Sequence, residues 1–258
     1  MSKVNKHGCP RAIPADVKRE VRRRAGFGCV VCGSAFAQYH HFDPKFEDAR
    51  SHDPNGIVYL CPTHHEEADE GRLSVESVRH FASNPAALQL GFSFGVFDMR
   101  CERPVLHVGK LTGINCRNFF RIDGRPILWI NPPETTGGPF LLNADLVDSK
   151  GTPILKIVDN EWEAYVGKFD VVTVGKRISI YEKKRGIDLV IRTEPPENFY
   201  IDRIDMDING YRIVCDGQNV TVSPPSRRGS VTSGYSVVQD VLSVIDMDGD
   251  IIGFGVVR

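Results

Sequence analysis

Two short segments, "CVVCG" at 29–33 and "LCPTHHEEAD" at 60–69, constrain this chain more than anything else in it. The first is a Cys-x-x-Cys turn. The second offers Cys61 and His64 at the matching spacing, directly after an apolar run. Together Cys29, Cys32, Cys61 and His64 make a Cys3His set, one of the usual tetrahedral structural zinc sites. A zinc knuckle requires both turns to meet in space, so residues between them must fold back on themselves. Ligation matters to so small a module, because burial alone holds it weakly, whereas structural zinc contributes on the order of 10 kcal/mol. The seven cysteines are an odd number, which fits a disulfide framework poorly and short-spaced metal ligation well. The start of the chain has no apolar stretch suited to a signal peptide, and no apolar run reaches membrane-spanning length. The expectation is a cytoplasmic protein without membrane association.

Histidines come in doublets. Of eight in the chain, four form His40-His41 and His64-His65. If "THHEEAD" opens a helix, positions i and i+4 share a face. His65 then aligns with Asp69, both capable ligands, while His64 aligns with Ala68. His64 therefore completes the knuckle, and His65 with Asp69 faces elsewhere. A strand "AFAQYHHF" places His40 and His41 across from that helix, one suited to ligation and one to proton transfer.

Pro14 followed by "ADVKREVRRRAGF" reads as a helix, with proline at the first turn and Gly26 and Gly28 as its stop. The polar stretch 43–56, with two Asp-Pro steps, reads as a loop, "IVYL" as a strand, and "SVESVRHFASNP" as a second helix ended by Pro85. Residues 1–85 thus form one module, 86–92 a linker, and 93–258 a β-rich domain. In that domain short β-branched runs alternate with turns such as "DSKG" and "CDGQN", which suggests a sandwich or barrel, with a β-solenoid as the alternative. The fold class is α+β. A hydrophobic content of 41% and a charged content of 25% belong to an ordinary globular protein and argue against a disordered one.

Net charge is −1, but residues 1–26 are strongly basic. Lys18, Arg22, Arg23 and Arg24 form the densest part of the block, an electrostatic footprint suited to a nucleic-acid backbone. A solvated basic helix face would have the same composition.

The combination of "CVVCG", "YHHF", Asn55 and "LCPTHHEEAD" resembles the HNH nuclease signature: Cys-x-x-Cys, a His-His or Asp-His pair, an asparagine in the loop, then a second knuckle half and a last ligand. The lead-in "IPADVKREVRRRAGFGC" is similar to the helix that often precedes the first knuckle. The resemblance covers residues 11–75. His64 stands where the family usually has a fourth cysteine, and Asp69 where many members have a last histidine. A carboxylate there favours harder ions such as Mg²⁺ or Mn²⁺, while the two imidazoles still accept Zn²⁺ or Ni²⁺.

The resemblance implies a ββα-metal module and one-metal hydrolysis of phosphodiesters, most simply in DNA, as in restriction or phage defence. It implies His41 as the general base and His40, His65 and Asp69 as ligands of one catalytic divalent cation. Asn55 would pin the loop and so orient His41, and the products would carry 5′-phosphate and 3′-hydroxyl ends. The alternative is a non-catalytic zinc module that binds nucleic acid or protein and needs only Cys29, Cys32, Cys61 and His64.

The β-rich domain offers no catalytic constellation. "DMDGD" at 246–250 resembles a calcium loop but lacks the acidic residue expected further on, so it reads as a hairpin turn. Arg227 and Arg228, in "SPPSRRGSVTSGYS", read as a solvated loop. The domain could support a homodimer or a partner protein.

Overall fold

The helix read from Pro14 onward is present as α1 (Ala15–Arg24), with Pro14 at its N-cap. Val17, Val21 and Ala25 recur at i, i+4 and i+8 and pack against the core, as a surface helix of period 3.6 demands. β1 (Gln38–His41) and β2 (Ile57–Leu60) pair antiparallel, with His40 opposite Val58 and His41 opposite Ile57. A two-stranded ribbon is marginal by itself. Here Ile57, Val58, Tyr59 and Leu60 are all buried beside Val21, Val30 and Phe42 in one cluster. The remaining helices are α2 (Pro62–Asp69), α3 (Val75–Ser83) and α4 (Ala86–Leu90), followed by β3 (Phe92–Val96). The Ser74 hydroxyl caps α3 by accepting from Ser77 N–H at 3.1 Å, the expected N-cap chemistry.

The computed structural model describes residues 4–148, 150–165, 169–182, 187–226, 228–234, 236–248 and 251–256. The chain divides into two units, one of residues 1–95 with 165–173 and one of 96–164 with 174–258. Residues 86–92, expected to form a linker, instead form α4 and the first residue of β3 and belong to the first unit. The segment 165–173 is also part of that unit. Asp170 pairs with Arg22 on α1, N···O 3.3 Å, and Thr173 donates to the carbonyl of Ala35.

Strands take up 46% of the protein and helices 15%, so it is mostly β. The strands after β3 are β4 (Val105–Val108), β5 (Leu111–Ile114), β6 (Asn118–Ile122), β7 (Arg125–Asn131), β8 (Leu141–Val147), β9 (Pro153–Val158) and β10 (Glu161–Tyr165). They continue as β11 (Asp170–Val174), β12 (Arg177–Glu182), β13 (Ile187–Glu194), β14 (Asn198–Ile208), β15 (Tyr211–Cys215) and β16 (Val220–Ser223). The last are β17 (Val231–Ser233), β18 (Ser236–Gln239), β19 (Ser243–Asp248) and β20 (Ile251–Val256).

In the second unit one sheet runs β20-β19-β6-β7-β8-β9-β10, and the other contains the meander β12-β13-β14-β15-β16-β17. β4 joins β14 in parallel, and β5 and β18 extend from β4. The rings of Phe97, Trp162 and Phe199 connect the two sheets, with centroids 6.1 Å and 5.6 Å from Phe97. β14 alternates buried and less buried positions on either side of a one-residue shift at Asp202–Arg203, the period-2 pattern of a strand with one covered face. The antiparallel meanders exclude the repeating coil of a β-solenoid, and no sheet closes into a barrel among the described residues. Asp248 pairs with Ile251 in an antiparallel hairpin; Asp250 and Arg227 lie outside the described residues. No helix among the described residues is long and apolar enough to cross a membrane.

Candidate metal centre

The first cysteine turn is tight enough to require glycine. A Cβ on Gly28 would lie 2.3 Å from the carbonyl oxygen of Gly33. Gly33 N–H donates back to the Cys29 carbonyl at 2.8 Å, which directs both thiols to one side. Cys61 is the N-cap of α2 with Pro62 next, so Cys61 and His64 point together from the first turn of that helix.

The four side chains converge. Cys29 Sγ and Cys61 Sγ lie 3.5 and 3.0 Å from His64 Nδ1, and Cys32 Sγ lies 3.9 Å from Cys61 Sγ. Tetrahedral zinc with its usual bond lengths sets ligand atoms about 3.8 Å apart for S···S and about 3.6 Å for S···N. All four donor atoms lie within 4.8 Å of one another. Cys29 donates to Cys32, and this bond pushes Cys29 up, with burial adding to it, while the same bond holds Cys32 down. The donor set is thus sulfur-rich and convergent, and it fits zinc.

One turn along α2 a second cluster begins. His65 Nδ1 lies 3.0 Å from Asp69 Oδ2, and His40 Nδ1 lies 3.5 Å from Asp69 Oδ1. The two imidazoles meet edge-on, centroids 4.8 Å apart at 82°. An octahedral ion with 2.1 Å bonds separates neighbouring ligands by about 3.0 Å, and tetrahedral zinc separates N and O by about 3.4 Å. The observed distances suit either ion. Burial, then the neighbouring His65, holds His40 below the ordinary histidine range, which keeps it in the neutral form that ligates. Helical spacing is what separates His64 from His65: adjacent residues on α2 serve different clusters.

His41 follows His40 on the same strand, so the two side chains leave opposite faces of the ribbon. His40 meets α2. His41 meets the loop 42–56, where its Nε2 lies 3.0 Å from His52 Nδ1 and its ring touches Phe46 edge-on at 5.4 Å. Burial first, then the neighbouring His52 and His40, pushes His41 down to about 4. His40, His41, His65 and Asp69 nevertheless line one cavity of about 390 Å³. Arg11, Lys45, Glu47, Tyr39 and Phe46 are also on its walls, with Ile13 and Ala68. Arg11 and Lys45 have no carboxylate partner among the described residues; Arg11 lies over the Phe46 ring, 5.5 Å from its centroid.

Two sequence expectations are corrected. Arg22, expected to meet nucleic acid, is 7% exposed. It donates to Tyr39 Oη at 2.6 Å and pairs with Asp170, because it lies on the same face of α1 as the core residues. Asn55 makes no direct hydrogen bond to His41 among the described residues. Its backbone N–H donates to Asp53 Oδ1, and its own Oδ1 accepts from Arg24 at 3.0 Å. Arg24 therefore ties α1 to the loop, Arg23 pairs with Glu20, and Lys18 sits over the Tyr39 ring. The cations of the cavity are instead Arg11 and Lys45. Neither these nor His52 carries a spacing signal, since each reaches the site through the folded path of a loop.

The chain matches no family model, no curated protein and no solved structure.

Proposed function

We propose that the N-terminal unit is a metal-dependent phosphodiesterase acting on nucleic acid, built around a structural zinc. The observation that carries this reading is the sorting of neighbouring residues into two sites. Cys29, Cys32, Cys61 and His64 close on themselves as a set in which Cys29 and Cys61 are buried and Cys32 and His64 half-buried. His40, His65 and Asp69 form a second, more open set beside His41 in a cavity whose wall carries Arg11 and Lys45, neither with a carboxylate partner among the described residues. A binding module needs the first set only and has no use for the second.

In this reading the roles divide by chemistry. His40, His65 and Asp69 would hold a divalent ion, which would supply Lewis-acid chemistry toward a phosphodiester. His41, neutral at working pH, takes a proton from the attacking water. Arg11 and Lys45 neutralise backbone phosphates on either side and give affinity without base readout. DNA is the expected substrate, and the HNH nucleases are the family whose chemistry this arrangement resembles.

The test is nicking of supercoiled plasmid by purified protein with Mg²⁺, Mn²⁺, Ni²⁺ or EDTA, beside His41→Ala. Cutting that needs metal and is lost in a folded, zinc-loaded His41→Ala supports the reading. No cutting with any metal returns the unit to a zinc module that binds without catalysis.

A further inference from the structure

We propose that His52 is a positioning residue that holds the His41 ring with a proton on Nε2 and a bare Nδ1 facing its task. The proposal rests on the phosphodiesterase reading above and adds to it the residue that makes His41 a base.

A chain of obligatory donors fixes both tautomers. His52 Nε2 lies 2.8 Å from the Pro10 carbonyl oxygen, and a carbonyl can only accept. Cys9 Sγ, 3.6 Å from the same nitrogen, is a second and weaker acceptor. The proton of a neutral His52 is therefore on Nε2, and its Nδ1 carries a lone pair. His41 Nε2 lies 3.0 Å from that Nδ1, so His41 must donate there. Its own proton is then on Nε2, and Nδ1 is left as the only basic nitrogen. Phe46 fixes the geometry from the side, stacked on His52 at 13° and edge-on to His41. A backbone carbonyl thus sets the tautomer of His52, and His52 sets that of His41.

Proton bookkeeping then closes. A water proton moves to His41 Nδ1 as the water oxygen bonds to phosphorus and the P–O3′ bond breaks. The 3′-oxygen takes a proton from solvent, and His41 later returns its own to solvent. The resulting imidazolium keeps its Nε2–H bond to His52, so no hydrogen bond is lost as charge forms. Partners that orient a functional imidazole from outside typically affect activity by about 10–100-fold.

The test combines spectroscopy with kinetics on the full-length, zinc-loaded protein. Long-range ¹H–¹⁵N spectra of the wild type above neutral pH are expected to show His41 and His52 both protonated on Nε2 and bare on Nδ1. A His41 signal with the proton on Nδ1 overturns the proposal. His52→Ala should lower the single-turnover cleavage rate about 10–100-fold with KM nearly unchanged and zinc retained. His52→Asn, which can present an amide oxygen where Nδ1 stood, should recover most of the rate. If His52→Asn is as slow as His52→Ala, or if His52→Ala raises KM alone, the proposal fails. If the wild type cuts nothing with any metal, the phosphodiesterase reading fails, and the spectra still decide whether His52 sets the tautomer of His41.

Discussion

The Arg22 guanidinium donates to Tyr39 Oη at 2.6 Å, joining α1 to the strand that carries both histidines of the first doublet. Arg22 also faces Asp170, whose carboxylate is buried and shared with Arg19 at 3.3 Å. An arginine that looked like a nucleic-acid contact is thus a tie within the first unit. Breaking one partner of a buried pair leaves the other charge without compensation, at a cost of about 3 kcal/mol. Arg22→Met should lower the melting temperature of the protein while leaving the salt dependence of nucleic-acid binding unchanged. A variant with wild-type stability and a weaker salt dependence would return Arg22 to the binding surface.

Arg11 and Lys45 should behave in the opposite way. Both are exposed on the cavity wall, so Arg11→Ala and Lys45→Ala should leave melting within about 0.5 kcal/mol of wild type. Each should reduce the slope of log K against log salt by about 1 if it meets one phosphate. Titration of a fluorescent oligonucleotide at several salt concentrations, with the zinc-loaded protein and no other divalent ion added, measures this directly. Unchanged slopes in both variants would remove the cavity from the binding surface.

What could be read from the sequence, and what could not, follows from how local each signal is. The donor sets were legible because Cys-x-x-Cys, Cys-x-x-His and the i, i+4 pair His65–Asp69 are fixed by turn and helix geometry within a few residues. The strands of the second unit were legible for the same reason, as with the alternating burial along β14. Arg22 was misread because basic composition does not reveal which face of a helix is covered, and its partner Asp170 is 148 residues away. His52 gives no signal in the sequence, because its partners, Pro10 and His41, are brought to it only by the fold of the loop. Residues 86–92 lacked a strong helix signal, yet α4 forms, ended by Gly91 in the left-handed conformation.

Adjacent substitutions on α2 should separate the two clusters. His64→Ala removes a ligand of the knuckle and should release zinc, and the core around Leu60 and Val21 should lose cooperative melting, since zinc supplies on the order of 10 kcal/mol in such modules. His65→Ala should keep the zinc and the melting transition but lose the weaker, exchangeable divalent ion. Elemental analysis for zinc and Mn²⁺ titration followed by paramagnetic relaxation give the two readouts. Equal zinc loss in both variants would mean that the adjacent histidines serve one site.

In the second unit His107 should make stability fall with acid. Its ring stacks on Tyr200 at 4.3 Å and 9°, with Nε2 3.0 Å from Asn198 Oδ1 and Nδ1 3.1 Å from Thr112 Oγ1. A neutral ring satisfies both, donating from Nε2 and accepting at Nδ1. Burial lowers the pKa of His107 below the ordinary histidine value, and the nearby Arg192 cation lowers it further; the Asn198 bond and Glu194 oppose this only in part. The unfolded chain, near 6.5, therefore takes up the proton first as pH falls. The contribution of His107 is fully present above pH 6.5 and is lost as pH drops through that value toward the lower folded-state pKa. The denaturant midpoint of the wild type should drop more between pH 7.5 and pH 5.5 than that of His107→Gln, which removes this titration while other groups remain. NMR titration should give His107 a midpoint below 6.5. A midpoint above 6.5, or parallel pH profiles for the two proteins, would show that the stacked ring is not held in its neutral form.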